Sequence, residues 1–307
     1  SYTMNFIDKD TEEVISESKK VKGQRFGAIV SSNNKAIEIA GYEFNSVDKK
    51  TITIGTGVNE FNFYYTKRND LSYTVNYLEK DTNKVLAEAK TVGNKTFKEE
   101  VTETAIEIEG YNKVEPTSKT ITIEVSGNEI NFYYTKRNDL SYTVNFYEVG
   151  TKDKIAESET IENVVFETIV DSKKHAKAIE GYNFGHCEPA TLTVGVNNVE
   201  NVIDIYYSKV DGLTYTVNYV EKGNEENVLH PAKVQDGQTF GDVVISADEV
   251  ISIEGYNYDS VSAESIVIGT DAKANAITIY YTRRNDLSYV VNYLEQGTNQ
   301  VLAAAKV

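Results

Sequence analysis

The sequence predicts a β-rich α+β fold that is repeated in tandem along the chain. Three observations lead to this prediction: a tyrosine-led motif that recurs about every 70 residues, an alternation of apolar and polar side chains within that motif, and one helix-like segment. In the second and third copies the motif reads Tyr73-Thr74-Val75-Asn76-Tyr77 and Tyr142-Thr143-Val144-Asn145-Phe146. A period of this length indicates duplicated whole domains rather than a short solenoid repeat.

Three landmarks keep a constant order in the copies, namely the tyrosine-led motif, a Gly-Tyr block and a closing aromatic block. The predicted segments are residues 1–71, 72–140, 141–213 and 214–287, followed by residues 288–307, which hold only the first hairpin of a fifth copy. An isolated hairpin is marginally stable in water. We therefore expect the polypeptide to continue with further copies beyond Val307.

Each element of one copy can be assigned from its periodicity. In the second copy the apolar residues of Tyr73–Leu78 alternate with polar ones, which is typical of a half-buried strand. A polar turn and a return strand follow, and Phe97 and Val101, four residues apart, predict a short amphipathic helix over residues 97–105. The remaining predicted strands are residues 111–114, 119–123 and 129–134. The predicted order is β-β-α-β-β-β.

That order favours a β-grasp arrangement, in which the first and last strands lie side by side and parallel. The chain would then enter a domain at one end and leave it at the other. Linkers such as residues 135–141 contain neither proline nor a Gly/Ser-rich tract. We therefore expect copies stacked end to end into an elongated rod, in which neighbouring repeats of the same chain contact one another.

Composition restricts the partners. The chain has 307 residues, a formal net charge of −16 and a pI near 4.7. Nucleic acids and anionic membranes offer no positive charge to such a chain, so neither is an expected partner. No apolar run is long enough to span a membrane, and the single cysteine, Cys187, excludes a disulfide framework.

The landmarks also carry a family resemblance. Val75-Asn76-Tyr77, Glu109-Gly110-Tyr111 and Tyr133-Tyr134-Thr135-Lys136 resemble the MucBP (mucin-binding protein) repeats of Gram-positive bacterial surface proteins. The resemblance covers essentially the whole chain, once per copy. It implies a ubiquitin-like β-grasp fold, an extracellular location at the bacterial cell surface with the anchor outside this segment, and mucin or another host glycoprotein as a partner.

The sequence does not predict an enzyme. Its three histidines, His175, His186 and His230, occupy unrelated positions, whereas an active site built by repetition would recur in each copy. His186 and Cys187 are adjacent but lack companions at zinc-ligand spacing. We predict no catalytic residue, no cofactor and no metal site.

Two further kinds of site have simpler interpretations. Residues 8–12 place oxygen side chains at alternate positions, as a calcium loop does, but the third copy breaks this pattern at Gly150. An internal isopeptide crosslink would need a recurring lysine, and Lys119 corresponds to Ser265 in the fourth copy. For residues 8–12 the favoured interpretation is an ordinary solvated turn. For the lysines the favoured interpretation is that no crosslink forms.

Four tyrosines are the candidate ligand-facing residues: Tyr64, Tyr133, Tyr206 and Tyr280. Each directly follows an apolar residue on its strand. Because successive side chains of a strand point to opposite faces, each tyrosine is predicted to point away from the core. Sugars stack on aromatic faces, so a glycan-binding surface is one interpretation. Packing within the sheet is the other, and the absence of tryptophan favours it.

Three functions fit these observations. The first is a structural stalk or spacer of a cell-surface adhesin that projects a distal binding region. The second is a multivalent binder, in which each copy holds mucin or another glycan weakly and the array gains avidity. The third is a subunit of a self-assembling surface fibre.

Overall fold

A computed structural model describes all residues, 1–307, and shows a chain built almost entirely of β-strands. It contains 26 strands, two short 3-10 helices and no α-helix. The strand content agrees with the β-rich part of the prediction. The α+β class is wrong, because the helix that it required is absent.

The strands form four successive groups with the same order, here called copies, followed by a hairpin. The first copy contains β1 (Tyr2–Asp8), β2 (Val14–Val21), β3 (Ile29–Ser31), β4 (Tyr42–Val47), β5 (Thr51–Thr53) and β6 (Glu60–Lys67). The second contains β7 (Leu71–Glu79), β8 (Val85–Lys95), β9 (Glu100–Thr104), β10 (Tyr111–Lys113), β11 (Ser118–Thr122) and β12 (Glu129–Lys136). The third contains β13 (Leu140–Glu148), β14 (Lys154–Val164), β15 (Ile169–Asp171), a 3-10 helix (Ser172–His175), β16 (Tyr182–Glu188), β17 (Thr191–Thr193) and β18 (Val202–Lys209). The fourth contains β19 (Leu213–Glu221), β20 (Asn224–Gln238), β21 (Val243–Ile245), a 3-10 helix (Ser246–Glu249), β22 (Tyr256–Val261), β23 (Ser265–Val267) and β24 (Ala276–Arg283). The hairpin consists of β25 (Val291–Leu294) and β26 (Val301–Lys306).

Each copy has the same sheet topology. The four-stranded sheet of the first copy has the order β2-β1-β6-β4, and a separate two-stranded sheet joins β3 to β5. The first and last strands, β1 and β6, are parallel, with Met4 opposite Phe61. The same parallel pairing joins β7 to β12, β13 to β18 and β19 to β24. The predicted pairing of first and last strands is therefore confirmed.

The predicted helix over residues 97–105 is wrong. Residues Glu100–Thr104 form β9, which pairs antiparallel with β11. Val101 is buried and Thr102 is exposed, so the side chains alternate as in a strand, and the β-branched residues favour that conformation. Phe97 lies in the loop before β9, so its spacing of four residues from Val101 does not reflect a helix. The sheet thus lacks the helix that a β-grasp fold packs against it.

The core of each copy lies on one face of its four-stranded sheet. In β6, Phe61, Phe63 and Tyr65 are buried, while the intervening Asn62 and Tyr64 are half-buried on the other face. Buried tyrosines generally need a partner for the hydroxyl group. The Tyr65 hydroxyl donates to the backbone oxygen of Ile37 at 2.8 Å, and Tyr134, Tyr207 and Tyr281 make the equivalent bond in the other copies.

The chain divides into two compact units, residues 1–140 with 163–167 and residues 141–162 with 168–307. Strands β7, β13 and β19 begin at Leu71, Leu140 and Leu213, each the last residue of the preceding predicted segment. The boundaries of the copies stay a prediction. No helix in the chain is long and apolar enough to cross a membrane.

Candidate functional site

The four candidate tyrosines lie on the sheet face opposite the core. Tyr64, Tyr133, Tyr206 and Tyr280 are half-buried, and each lies between two buried neighbours on its strand. Across the parallel ladder they pair with Ile7, Leu78, Tyr147 and Val220. Each tyrosine thus belongs to a separate copy, and no two of them pair with each other.

The third copy differs because three aromatic rings cross its outer face in a row. Tyr206 pairs with Tyr147 on one neighbouring strand and with His186 on the other. The ring centroids of Tyr206 and Tyr147 are 5.9 Å apart, and those of Tyr206 and His186 are 4.8 Å apart with nearly parallel planes. Glu188 Oε1 lies 3.4 Å from His186 Nε2. The row combines aromatic surface with a hydrogen-bond acceptor.

Residues 8–12, which resemble a calcium loop in sequence, form a turn that bonds to itself. Asp8 Oδ1 accepts hydrogen bonds from the backbone N–H of Asp10 and of Thr11, at 2.9 and 3.4 Å. The Asp8 carboxylate is therefore engaged as a turn acceptor. No group of three or more His, Cys, Asp and Glu side chains in the chain is arranged to hold a metal ion.

A carboxylate bonds a tyrosine and a lysine in two of the copies, and it is buried at Glu249 and half-buried at Glu103. Glu249 accepts from the Tyr215 hydroxyl at 2.7 Å and from Lys233 Nζ at 2.6 Å. Burial, followed by the hydrogen bond to Glu249, raises the pKa of Tyr215 to about 12. Burial alone would raise the pKa of Glu249, but the bonds from Lys233 and Tyr215 outweigh it and lower that pKa. These groups satisfy one another, so the cluster stabilises the fold.

The second copy repeats this cluster. Glu103 accepts from the Tyr73 hydroxyl at 2.6 Å and from Lys90 Nζ at 2.7 Å. The hydrogen bonds from Lys90 and Tyr73 lower the pKa of Glu103.

The most regular constellation lies where one copy follows another. We call it the aromatic lock and define it by Gly41, Tyr42, Arg68 and Phe97. Gly41 has φ of +81°, and the Phe97 ring lies 2.5 Å from the position that a Cβ on Gly41 would occupy. The ring of Tyr42 meets that of Phe97 edge to face, with centroids 5.6 Å apart. Only glycine allows the second copy's ring to approach the backbone of the first this closely.

Backbone hydrogen bonds connect the lock to the linker. The N–H of Arg68 donates to the oxygen of Gly41 at 2.9 Å, and the N–H of Phe97 donates to the oxygen of Arg68 at 2.8 Å. The Arg68 guanidinium also binds Asp70 through two bonds of 2.9 Å. The linker residue is thus bonded on both sides, which restricts its backbone.

The lock recurs along the chain. Within the second unit, the Phe240 ring lies 2.3 Å from a Cβ built on Gly181, and the rings of Tyr182 and Phe240 have centroids 5.7 Å apart. Val210 takes the place of the arginine and keeps both backbone bonds, from Val210 to Gly181 and from Phe240 to Val210.

The first unit holds another example of the lock. Gly110, Tyr111, Arg137 and Phe166 repeat the ring contact and both backbone bonds. The fourth copy keeps the bond from Arg284 to Gly255 but has open space where the ring would lie.

The lock was not predicted from the sequence, which placed Phe97 in a helix and Gly110-Tyr111 only among the landmarks. A signal was present, because Phe26, Phe97, Phe166 and Phe240 occupy the same place in the four copies. The contact itself could not be predicted, since Gly41 and Phe97 are distant in sequence.

No protein-family model matches the chain. No curated protein matches it either. Among solved structures, the chain is similar to the crystal structure of Mub-RV, with 14% identity, a TM-score of 0.19, and coverage of 44% of this chain and 97% of that one. It is similar to a type 2 repeat of the mucus binding protein MUB from Lactobacillus reuteri, with 14% identity, a TM-score of 0.18, and coverage of 44% and 98%. It is also similar to Streptococcal High Identity Repeats in Tandem (SHIRT) domains 3-4 from a cell surface protein, with 15% identity, a TM-score of 0.20, and coverage of 44% and 96%.

These similar structures include a repeat of a mucus binding protein and repeats of a cell surface protein. TM-scores this low carry no argument about the fold or the function of the chain.

Proposed function

We propose that the chain is a stalk segment of a bacterial cell-surface adhesin, located outside the cell, that projects a distal binding region. The aromatic lock is the observation that carries this proposal. A spacer has to hold successive domains in a fixed relation, and a lock made of a ring contact and two backbone bonds does so without a ligand.

The composition of the linkers supports the same function. A flexible linker is rich in glycine and serine, whereas the linkers of this chain contain no Gly/Ser-rich tract. Here the linker residue Arg68 is bonded to the copy before it through Gly41 and to the copy after it through Phe97. Bending at this linker would break two hydrogen bonds and separate two aromatic rings. We propose that the copies therefore extend end to end as a rod.

Small-angle scattering on the full chain tests the stalk. A single globule of this length would have a radius of gyration of about 19 Å. A rod gives a much larger radius and a pair-distance distribution with a long tail. A radius near the globular value would contradict the proposal.

A second function, weak glycan binding, is favoured by the aromatic row of the third copy. Tyr147, Tyr206 and His186 offer stacking surface, and Glu188 offers an acceptor for sugar hydroxyl groups. The test is binding of the full chain to mucin-coated surfaces. Tyr206→Ala should abolish binding if the row is the site, while Tyr280→Ala, the equivalent change in a copy without the row, should not. Equal binding by all three proteins would refute this site.

A further inference from the structure

Phe26 is the first-copy counterpart of the phenylalanine that completes each aromatic lock. It follows Tyr2 at the spacing that separates Phe97 from Tyr73. The two side chains differ sharply in exposure, because Phe26 is 79% exposed and Phe97 is 8% exposed. An exposed phenylalanine at a position that is otherwise engaged in a lock is an unpartnered contact surface.

The loop that carries Phe26 already has the conformation of a locked loop. Gly27 has φ of +79°, and its counterpart Lys98 has φ of +67°. The N–H of Gly27 donates to the oxygen of Ile54 at 2.9 Å, as the N–H of Lys98 does to Ile123 at 2.8 Å. These bonds lie within a single copy. The loop is therefore held in shape without a partner, and little ordering is needed when one docks.

We infer that Phe26 and its loop are an interaction surface for the Gly-Tyr end of another repeat of this kind, joined upstream of Ser1 in the same polypeptide. The partner must offer a glycine with positive φ, a tyrosine after it, and a linker carbonyl to accept the Phe26 N–H. Gly41, Tyr42 and Arg68 offer this set to Phe97.

The partner is expected in the same polypeptide rather than as a separate chain. One ring pair and one backbone bond between the copies form a small interface, while a short covalent linker raises the effective concentration of the two ends to the millimolar range.

The test extends the full chain with one added copy, residues 214–287, joined through Leu287 to Ser1. This junction reproduces the Asp-Leu-Ser-Tyr sequence of the first linker. Hydrogen exchange at the Phe26 amide is compared in the original and extended chains, and circular dichroism per residue checks that the added copy folds. Exchange at Phe26 should slow more than tenfold in the extended chain. The matched control carries Gly255→Ala in the added copy only and should restore fast exchange, because a methyl group would occupy the place of the ring.

Unchanged exchange at Phe26 in a folded extended chain would overturn the inference. Protection of Phe26 in the original chain that increases with protein concentration would also overturn it, because the partner would then be a separate chain. A second measurement uses Phe26→Ala, which should lower the thermal midpoint of the extended chain and leave that of the original chain unchanged. The inference rests on the stalk proposal, because both assume that copies follow one another end to end along one polypeptide. The two fail separately, since scattering from residues 1–307 does not depend on Phe26.

Discussion

The Phe240 ring lies 2.3 Å from the position that a Cβ on Gly181 would occupy, although the two residues belong to different copies. No side chain fits between them, so any substitution at Gly181 must displace the ring. Gly255 is the same residue in the next copy, with φ of +79° against +78°, and has nothing within 4 Å of its added Cβ. Comparing alanine substitutions at Gly181 and Gly255 therefore distinguishes the cost of displacing the ring from the cost of backbone strain.

Gly181→Ala should therefore destabilise the chain more than Gly255→Ala. Both changes place alanine at positive φ, which costs about 1–2 kcal/mol. Only Gly181→Ala also pushes against Phe240, which adds about 1–3 kcal/mol by overpacking. Urea unfolding and hydrogen exchange at the Phe240 amide measure the difference. Equal losses in the two variants would show that the ring contact contributes nothing.

Phe97→Ala should destabilise the chain by about 3–5 kcal/mol, because it removes a buried ring and its edge-to-face contact with Tyr42. Phe26→Ala is the matched control at the equivalent loop position. Since Phe26 is exposed, that change should lie within about 0.5 kcal/mol of the parent. Thermal unfolding of the two variants checks this, and a large loss from Phe26→Ala would mean that the ring already has a partner within residues 1–307.

Much of the sheet could be predicted from the sequence because its periodicity is local. Alternation along Tyr73–Leu78 gave the face of each residue, and the predicted order of elements, although its helix was wrong, led to the parallel pairing of β7 with β12. The same alternation placed Tyr64 opposite the core. The two inferences about faces need only a period of two along a strand.

The helix and the lock could not be inferred in this way. Phe97 and Val101 match a helical spacing by coincidence, because one faces the preceding copy and the other lies on a strand. The lock depends on the positive φ of Gly41 and on a ring that comes from the next copy. Neither the conformation nor the distant contact leaves a periodic signal, and only the recurrence of a phenylalanine in every copy pointed to it.

Glu249→Gln should remove an acid-dependent part of the stability of the fourth copy. The bonds from Lys233 and Tyr215 lower the pKa of Glu249 from its ordinary value of 4.5. A lowered carboxyl pKa contributes stability that is present above the unfolded pKa and is lost as the pH falls through the folded pKa. The parent should therefore lose stability as the pH falls below about 4.5, while the variant loses less over that window.

At neutral pH the same variant should be less stable than the parent by about 1–2 kcal/mol, because a charged hydrogen-bond acceptor has been lost. Urea midpoints between pH 3 and 7 measure both effects. Glu254→Gln, a change of an exposed carboxylate nearby in sequence, serves as the control and should follow the parent curve. Parallel curves for parent and Glu249→Gln would contradict the role assigned to the buried cluster.

Tyr281→Phe should destabilise the fourth copy although it changes a single oxygen atom. The Tyr281 hydroxyl donates to the backbone oxygen of Ile251 at 2.8 Å and accepts from the Ile251 N–H at 3.2 Å. Without the hydroxyl, two partly buried backbone groups lose their partner, at a cost of about 1–3 kcal/mol. Tyr280→Phe is the matched control, since Tyr280 is adjacent but lies on the outer face of the sheet, and it should change the urea midpoint little. A larger loss from Tyr280→Phe than from Tyr281→Phe would reverse the assignment of the inner and outer faces of β24.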